Sequence, residues 1–297
     1  MRGFMEKEYE IIIVGGGPAG ISAGIYAHRA GAKTLVFDSG ASNLERTKVL
    51  QNYYGFESIS GKELKEKGIK QFKGLGGEVE KAEILKITKD FSKNCFFVKT
   101  EYGEYSSKAV ILCTGSGKKK TVDGLEKYEG ENVSYCAVCD GFFYRGETVA
   151  VIGSGKFALS EAEELSKIAK KVYLISNNDE KTDKIAKNIE KISKKIKEFV
   201  GKNRIEKIIF EDNSSVDVSG VFVALGSLST LEMAKQLGLL TKNNTILVDE
   251  NYMTNVAGVF AAGDCIGGLL QVAKAVSDGA MAGLMAVRYI KMLEEKK

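Results

Sequence analysis

Twice in this chain an apolar, β-branched run ends on a spaced set of small residues and passes straight into a helical pattern. In the first copy, YEIIIVGGGPAGISAGIYAHRAGAKTLVFDSG, a strand from Glu10 to Val14 feeds Gly15, Gly17 and Gly20, a helix follows, and a second strand ends at Asp38. The second copy, ETVAVIGSGKFALSEAEELSKIAKKVYLISNN, places Gly153, Gly155 and Ala158 in the corresponding positions. Each reads as the βαβ unit of a dinucleotide-binding fold. Two such units in a chain of 297 residues imply an α/β protein with two Rossmann-like, three-layer nucleotide-binding domains, the second inserted into the first.

The first copy carries the fuller chemistry. Its glycines allow a tight turn and the close approach of a pyrophosphate to the start of the helix, where free backbone N–H groups favour anions. Pro18 and Ala19 fit that turn. Asp38 follows Gly20 at close to the roughly 20-residue spacing from which an acid reaches a ribose hydroxyl. LCTG, with Thr114 and Gly115, and FAAGD, with Gly263 and Asp264, each end a buried strand on small residues that admit a cofactor close to the backbone. These pieces suggest that the dinucleotide is a flavin, FAD. Asp264 is then expected to face the ribityl hydroxyls, and the backbone at Gln271, Val272 and Ala273 the flavin ring.

Between the two copies, AEILKITKD, CFFVKT and AVILCTG read as a β meander returning to the first sheet. After the second copy, VFVALG, TILV and GVFAAGD read as buried strands, and the segment from Gln271 onward as a C-terminal helix. The inserted domain is therefore placed at 119–243, within a first domain made of 1–118 plus 244–297. Inside the insert, Ile185, Ile189, Ile192, Ile196 and Phe199 recur at helical spacing, while residues 181–202 hold eight lysines against three acids. The spacing predicts an amphipathic surface helix with a solvated lysine face, the alternative being a docking patch for an acidic partner.

The sharpest chemical feature is SYCAVCDGFF, in which Cys136 and Cys139 form a CxxC pair followed by Asp140. Zinc wants four ligands, but the only histidine, His28, lies in the first helical pattern and Cys95, Cys113 and Cys265 are scattered. A redox pair is the favoured reading, with Asp140 as proton donor and acceptor. His28 is expected to be a surface or capping residue, and Cys265 a small buried hydrophobe. A net charge of +4 without a basic, aromatic-lined stripe argues against nucleic-acid binding. The N-terminal stretch has no apolar run long enough for a signal peptide or a membrane helix, so a cytoplasmic protein without membrane contact is expected.

The motifs GGGPAG, CTG, CAVCDGFFYRG, VAVIGSGKFALSEA, VFVALG and VFAAGD stand in the order seen in low-molecular-weight thioredoxin reductases, and the chain resembles that family over nearly its whole length. The resemblance implies a homodimer whose insert carries the redox pair and normally binds NADPH. It makes Cys139 the flavin-side cysteine, Cys136 the one that attacks the disulfide of a thioredoxin-like partner, and Asp140 the acid and base, with Asn52 and Gln271 among the flavin contacts. It also implies that the insert swings on connections near 115–120 and 243–246.

Several positions depart from the family. Where its basic phosphate-holding motif belongs, the chain reads Ser176, Asn177 and Asn178, and no arginine lies between Arg145 and Arg204. The preceding strand does not end in an acid suited to NADH, and Phe157 puts a bulky ring in the second glycine turn. On the flavin side, GASNLERT replaces GGQ, NYYGF replaces NYPGF, and Leu270 stands where many relatives have arginine. These departures resemble the branch that takes electrons from ferredoxin; a related branch uses a reduced deazaflavin. Ferredoxin is thus the expected donor, with NADPH or NADH, held in an unusual pose by Lys156, as the alternative. A redox sensor that turns nothing over is the remaining reading.

Overall fold

A computed structural model describes residues 7–40, 42–116, 122–176, 185–225 and 228–295. The chain divides into two compact units, Met1–Lys118 with Ser229–Lys297, and Lys119–Leu228.

In the first unit, β1 (Lys7–Val14) runs into α1 (Pro18–Arg29) and then β2 (Thr34–Asp38). Helix α2 (Gly61–Gly74) follows, then β3 (Glu78–Lys81), β4 (Ile84–Asp90), β5 (Cys95–Thr100) and β6 (Glu104–Leu112). Strands β3, β2, β1 and β6 are parallel, and β6, β5 and β4 form the expected antiparallel meander. Ile11, Ile12 and Ile13 are fully buried because a central parallel strand is covered on both faces. One edge of β6 is shared: its first half pairs with β5, and its last three residues pair in parallel with Val259–Ala261 from the returning chain. The C-terminal ends of β1, β6 and Val259–Ala261 thereby converge.

The second unit repeats this plan more sparely. Strand β7 (Val133–Ser134) leads to the short helix α3 (Ala137–Asp140), then to β8 (Thr148–Ile152), α4 (Gly155–Ser166) and β9 (Lys171–Ile175). Strands β10 (Ile189–Ile192), β11 (Ile196–Val200), β12 (Lys207–Phe210), β13 (Ser215–Asp217) and β14 (Gly220–Val223) complete it. A five-stranded parallel sheet runs in the order β10-β9-β8-β14-β7, beside a three-stranded antiparallel sheet of β11, β12 and β13.

This arrangement corrects two expectations. The isoleucine-rich segment is not a helix: Ile189 and Ile192 belong to β10, while Ile196 and Phe199 lie on β11. Runs of β-branched residues suit strands, and the residues between Ile192 and Ile196 turn the chain from one sheet to the other. Two of its lysines pair with acids, Lys195 with Glu211 at 2.6 Å and Lys194 with Asp212 at 2.8 Å, while its Glu190 pairs with Lys171 of β9 at 2.7 Å. Glu211 and Asp212 thereby offset part of the positive charge of the lysine face. The other correction concerns the insert, which ends at Leu228 rather than 243. Helix α5 (Thr230–Leu237), closed by a Ser229 capping box, already belongs to the first unit, where Gln236 accepts a bond from the Ile87 amide of β4. The expected connection at 243–246 is instead part of a two-stranded hairpin, Thr241–Lys242 with Thr245–Ile246, inside that unit. Residues 117–121, which cover most of the other connection, lie outside the described residues.

The C-terminal helix α6 (Val272–Glu294) lies directly against α1. A Cβ on Gly279 would fall on the Ala19 carbonyl, and one on Gly283 on the Ala23 carbonyl, so the two backbones touch where side chains are absent. Among the described residues no helix is long and apolar enough to cross a membrane. Gly279→Ala is expected to lower the unfolding free energy by about 1–3 kcal/mol in a urea titration. Gly74→Ala, at the open end of α2, should leave it unchanged or raise it by up to about 1 kcal/mol.

Candidate functional site

At the convergent strand ends of the first unit, Gly15 has φ +118° and sits so close to the Cys113 carbonyl that a Cβ could not be placed there. Gly20 in turn lies on the Gly15 carbonyl. These contacts draw the start of α1 against the ends of β1 and β6. Gly17 is the N-cap of α1 and Pro18 its first residue; no side chain caps the helix, and the space beyond Gly17 is open. The amides of the first turn are therefore available to an anion such as a pyrophosphate. Ala19 packs toward Gly263, on the turn that carries Asp264.

The other predicted cofactor residues gather on the same unit. Thr114 shares a 2.6 Å hydrogen bond with the buried Thr230 hydroxyl, and the Gly115 carbonyl accepts from Thr230 at 3.4 Å. Asn52 donates to Gln271 at 2.9 Å, tying the loop after β2 to the start of α6. Gln271 is the N-cap of α6 without bonding its amides, which leaves those of Val272 and Ala273 uncapped by any side chain. Burial raises the Asp264 carboxyl above its ordinary range, Lys274 opposing and Asp278 reinforcing the shift. Two open helix starts and a glycine cradle on one sheet end fit the pyrophosphate and ring of FAD.

Asp38 sits at the end of β2 as expected, but with a partner that its sequence spacing does not show. Lys65 of α2, 5% exposed at its side chain, reaches Asp38 at 2.9 Å and Glu45 at 3.4 Å. A single lysine facing two acids from separate elements fixes the carboxylate that the ribose is expected to meet. Lys274 was likewise not singled out from sequence; it bonds Asp278 at 2.6 Å on the first turns of α6. His28 is half-buried, and its Nε2 lies 2.9 Å from the Leu75 carbonyl, as a capping residue would. Cys265 is the small buried residue that was expected.

In the second unit, Cys136 and Cys139 are joined as a disulfide with Cα atoms 5.4 Å apart. Cys136 is the N-cap of α3, and its Sγ accepts from the Cys139 amide at 3.2 Å. Asp140 ends that helix, its Oδ2 accepting from the Ser134 hydroxyl at 2.6 Å, while Ser134 Oγ itself accepts from the Cys136 amide at 3.1 Å. Ser134, two residues ahead of the pair, thus links the predicted acid to the backbone of the first cysteine. Cys136 is 1% exposed and Cys139 half-buried. Directly after them, Phe142 and Phe143 stand 66% and 79% exposed, an apolar pair beside the redox centre.

The second glycine turn keeps the closing contact of the first, since a Cβ on Gly153 would strike the Ala224 carbonyl. Phe157, the bulky residue of that turn, is fully buried. Strand β9 is followed by Ser176, while Asn177 and Asn178 lie outside the described residues.

A family model described as pyridine nucleotide-disulphide oxidoreductase matches residues 9–279. The thioredoxin reductase of Listeria innocua is 33% identical, over 98% of this chain and 96% of that protein. Among solved structures, the atypical thioredoxin reductase TRi of Desulfovibrio vulgaris Hildenborough is 38% identical with a TM-score of 0.86, covering 95% of this chain and 98% of that one. A ferredoxin-flavin thioredoxin reductase from Clostridium acetobutylicum is 32% identical with a TM-score of 0.71, covering 97% and 100%.

Burial pushes the Cys265 thiol up to about 11 and the Cys113 thiol well above its ordinary value. Both are then almost wholly protonated at pH 8 and poor nucleophiles. Peptide mapping after brief iodoacetamide treatment of the native, unreduced protein at pH 8 should find both unmodified, and unfolding should expose them.

Proposed function

The chain belongs to the thioredoxin reductases of the pyridine nucleotide-disulphide oxidoreductase family, and from that premise we propose that it reduces the disulfide of a thioredoxin-like protein with electrons that reach FAD from ferredoxin. The observation that carries the reading is the Cys136–Cys139 disulfide, with Asp140 hydrogen-bonded beside it and two exposed phenylalanines next to it. FAD, when bound, supplies the electron pair that opens this disulfide. Gly15, Gly17, Pro18, Ala19 and Gly20 would hold its pyrophosphate. Asp38, Asn52, Thr114, Gly115, Gly263, Asp264, Gln271, Val272 and Ala273 would border the rest.

Once the pair is reduced, the Cys136 thiolate attacks one sulfur of the partner's disulfide and displaces the other as a thiolate. Cys139 then attacks the mixed disulfide at Cys136, re-forming the Cys136–Cys139 bond and releasing the partner as a dithiol. Asp140 moves the protons through Oδ2, which the Ser134 hydroxyl orients. Because Cys136 is the more buried sulfur, its attack requires that docking uncover it. The exposed rings of Phe142 and Phe143 are suited to anchor the partner.

The inserted unit supports this choice of donor. Its strand-turn-helix is retained, yet Ser176 stands after β9 and no arginine occurs between Arg145 and Arg204 to grip a 2′-phosphate. The likeness to the Clostridium acetobutylicum protein, which is named for ferredoxin, points the same way.

Anaerobic addition of reduced ferredoxin should bleach the flavin within the turnover time, while NADPH and NADH at micromolar concentration should not. Rapid bleaching by either nucleotide replaces the donor but leaves the cysteine chemistry intact. Asp140→Asn should lower thioredoxin turnover by about 10²- to 10⁴-fold. Cys139→Ser should leave the partner trapped as a mixed disulfide on Cys136, visible by non-reducing electrophoresis.

A further inference from the structure

The redox pair has a second carboxylate close to it, on a different element. Glu161 lies on α4, the helix that follows the second glycine turn, and is 3% exposed. Its Oε2 accepts from the Ala137 amide at 2.6 Å. Ala137 is the residue immediately after Cys136 and the first of α3.

We propose that Glu161 is a positioning residue that fixes the CxxC turn and, by its negative charge, holds the cysteine pair strongly reducing. The inference rests on Cys136 and Cys139 acting as the redox relay, but on neither the donor nor the partner.

Reduction adds two electrons and two protons to the disulfide and gives two thiols, one of which must ionise to act. The Cys139 amide already points at Cys136 Sγ and would support that charge. The neighbouring Ala137 amide is held by Glu161 instead. When ionised, a carboxylate bonded to the residue next to Cys136 also opposes a second negative charge on that sulfur. Both effects disfavour the thiolate and leave the disulfide favoured relative to the reduced pair. The opposite arrangement, in which the reduced form is stabilised, makes a cysteine pair an oxidant.

The bond also explains what α4 contributes here. The helix that follows the glycine turn reaches the turn carrying the cysteines, so the inserted fold supports the redox centre from its own core.

Glu161→Gln tests the charge separately from the hydrogen bond, because the amide oxygen can still accept from Ala137. With the full-length holoenzyme equilibrated in glutathione buffers, then acid-quenched and mapped by peptide, Glu161→Gln is expected to shift the pair about tenfold toward the dithiol. That is about 30 mV less reducing for a two-electron couple. Iodoacetamide should also modify the reduced pair several-fold faster at pH 7. Glu161→Asp keeps the charge but shortens the reach; it should lower the melting temperature while leaving the equilibrium within about twofold of the parent. Parental equilibrium and alkylation rate in Glu161→Gln overturn the proposal, as does a shift in Glu161→Asp as large as in Glu161→Gln. Neither readout involves thioredoxin or ferredoxin, so a failure to reduce thioredoxin leaves this test standing.

Discussion

Helix α6 can lie on helix α1 only because Gly279 and Gly283 present no side chain to the carbonyls of Ala19 and Ala23. That backbone contact fixes the register of α1 against α6, and with it where their uncapped starts, at Gly17 and at Gln271, stand relative to one another. Both starts leave amide groups uncapped by any side chain, and the residues expected to meet FAD lie on the same unit. A methyl group between the helices would move both starts, so the geometry of the site is inseparable from the packing beneath it.

The second unit uses its scaffold differently. Its parallel strands and glycine turn are those of a nucleotide-binding fold, yet its best-defined polar cluster lies at the end of the edge strand β7. There Ser134, Asp140 and Glu161 enclose the turn that holds the disulfide. Each of these side chains bonds either the backbone of that turn or a neighbour that does. Such a network restricts the turn and its disulfide to a few arrangements.

Much of the architecture was legible because it depends on local patterns. Gly15, Gly17 and Gly20, the isoleucines of β1, the meander before Leu112 and the long helix after Gln271 each declare themselves within a short window. The segment from Ile185 to Phe199 did not, since apolar residues three and four apart satisfy a helix and equally satisfy two short strands with a turn between them. The return to the first unit was hidden for another reason: α5 joins it through Gln236 and Thr230, whose partners on β4 and beyond β6 are remote in sequence. The same holds for the site. Cys136, Cys139 and Asp140 form a contiguous motif and could be read directly, whereas Lys65 beside Asp38 and Glu161 beside Ala137 become neighbours only after the chain folds.

The two glycine turns share one steric demand: Gly15 must clear the carbonyl of Cys113, and Gly153 that of Ala224. In both cases the obstacle is the protein's own neighbouring strand end, not a ligand. The glycine is thus a joint in the scaffold, and it has to persist even where the pocket above it changes its tenant. A redesign of what the insert binds would accordingly leave that joint untouched.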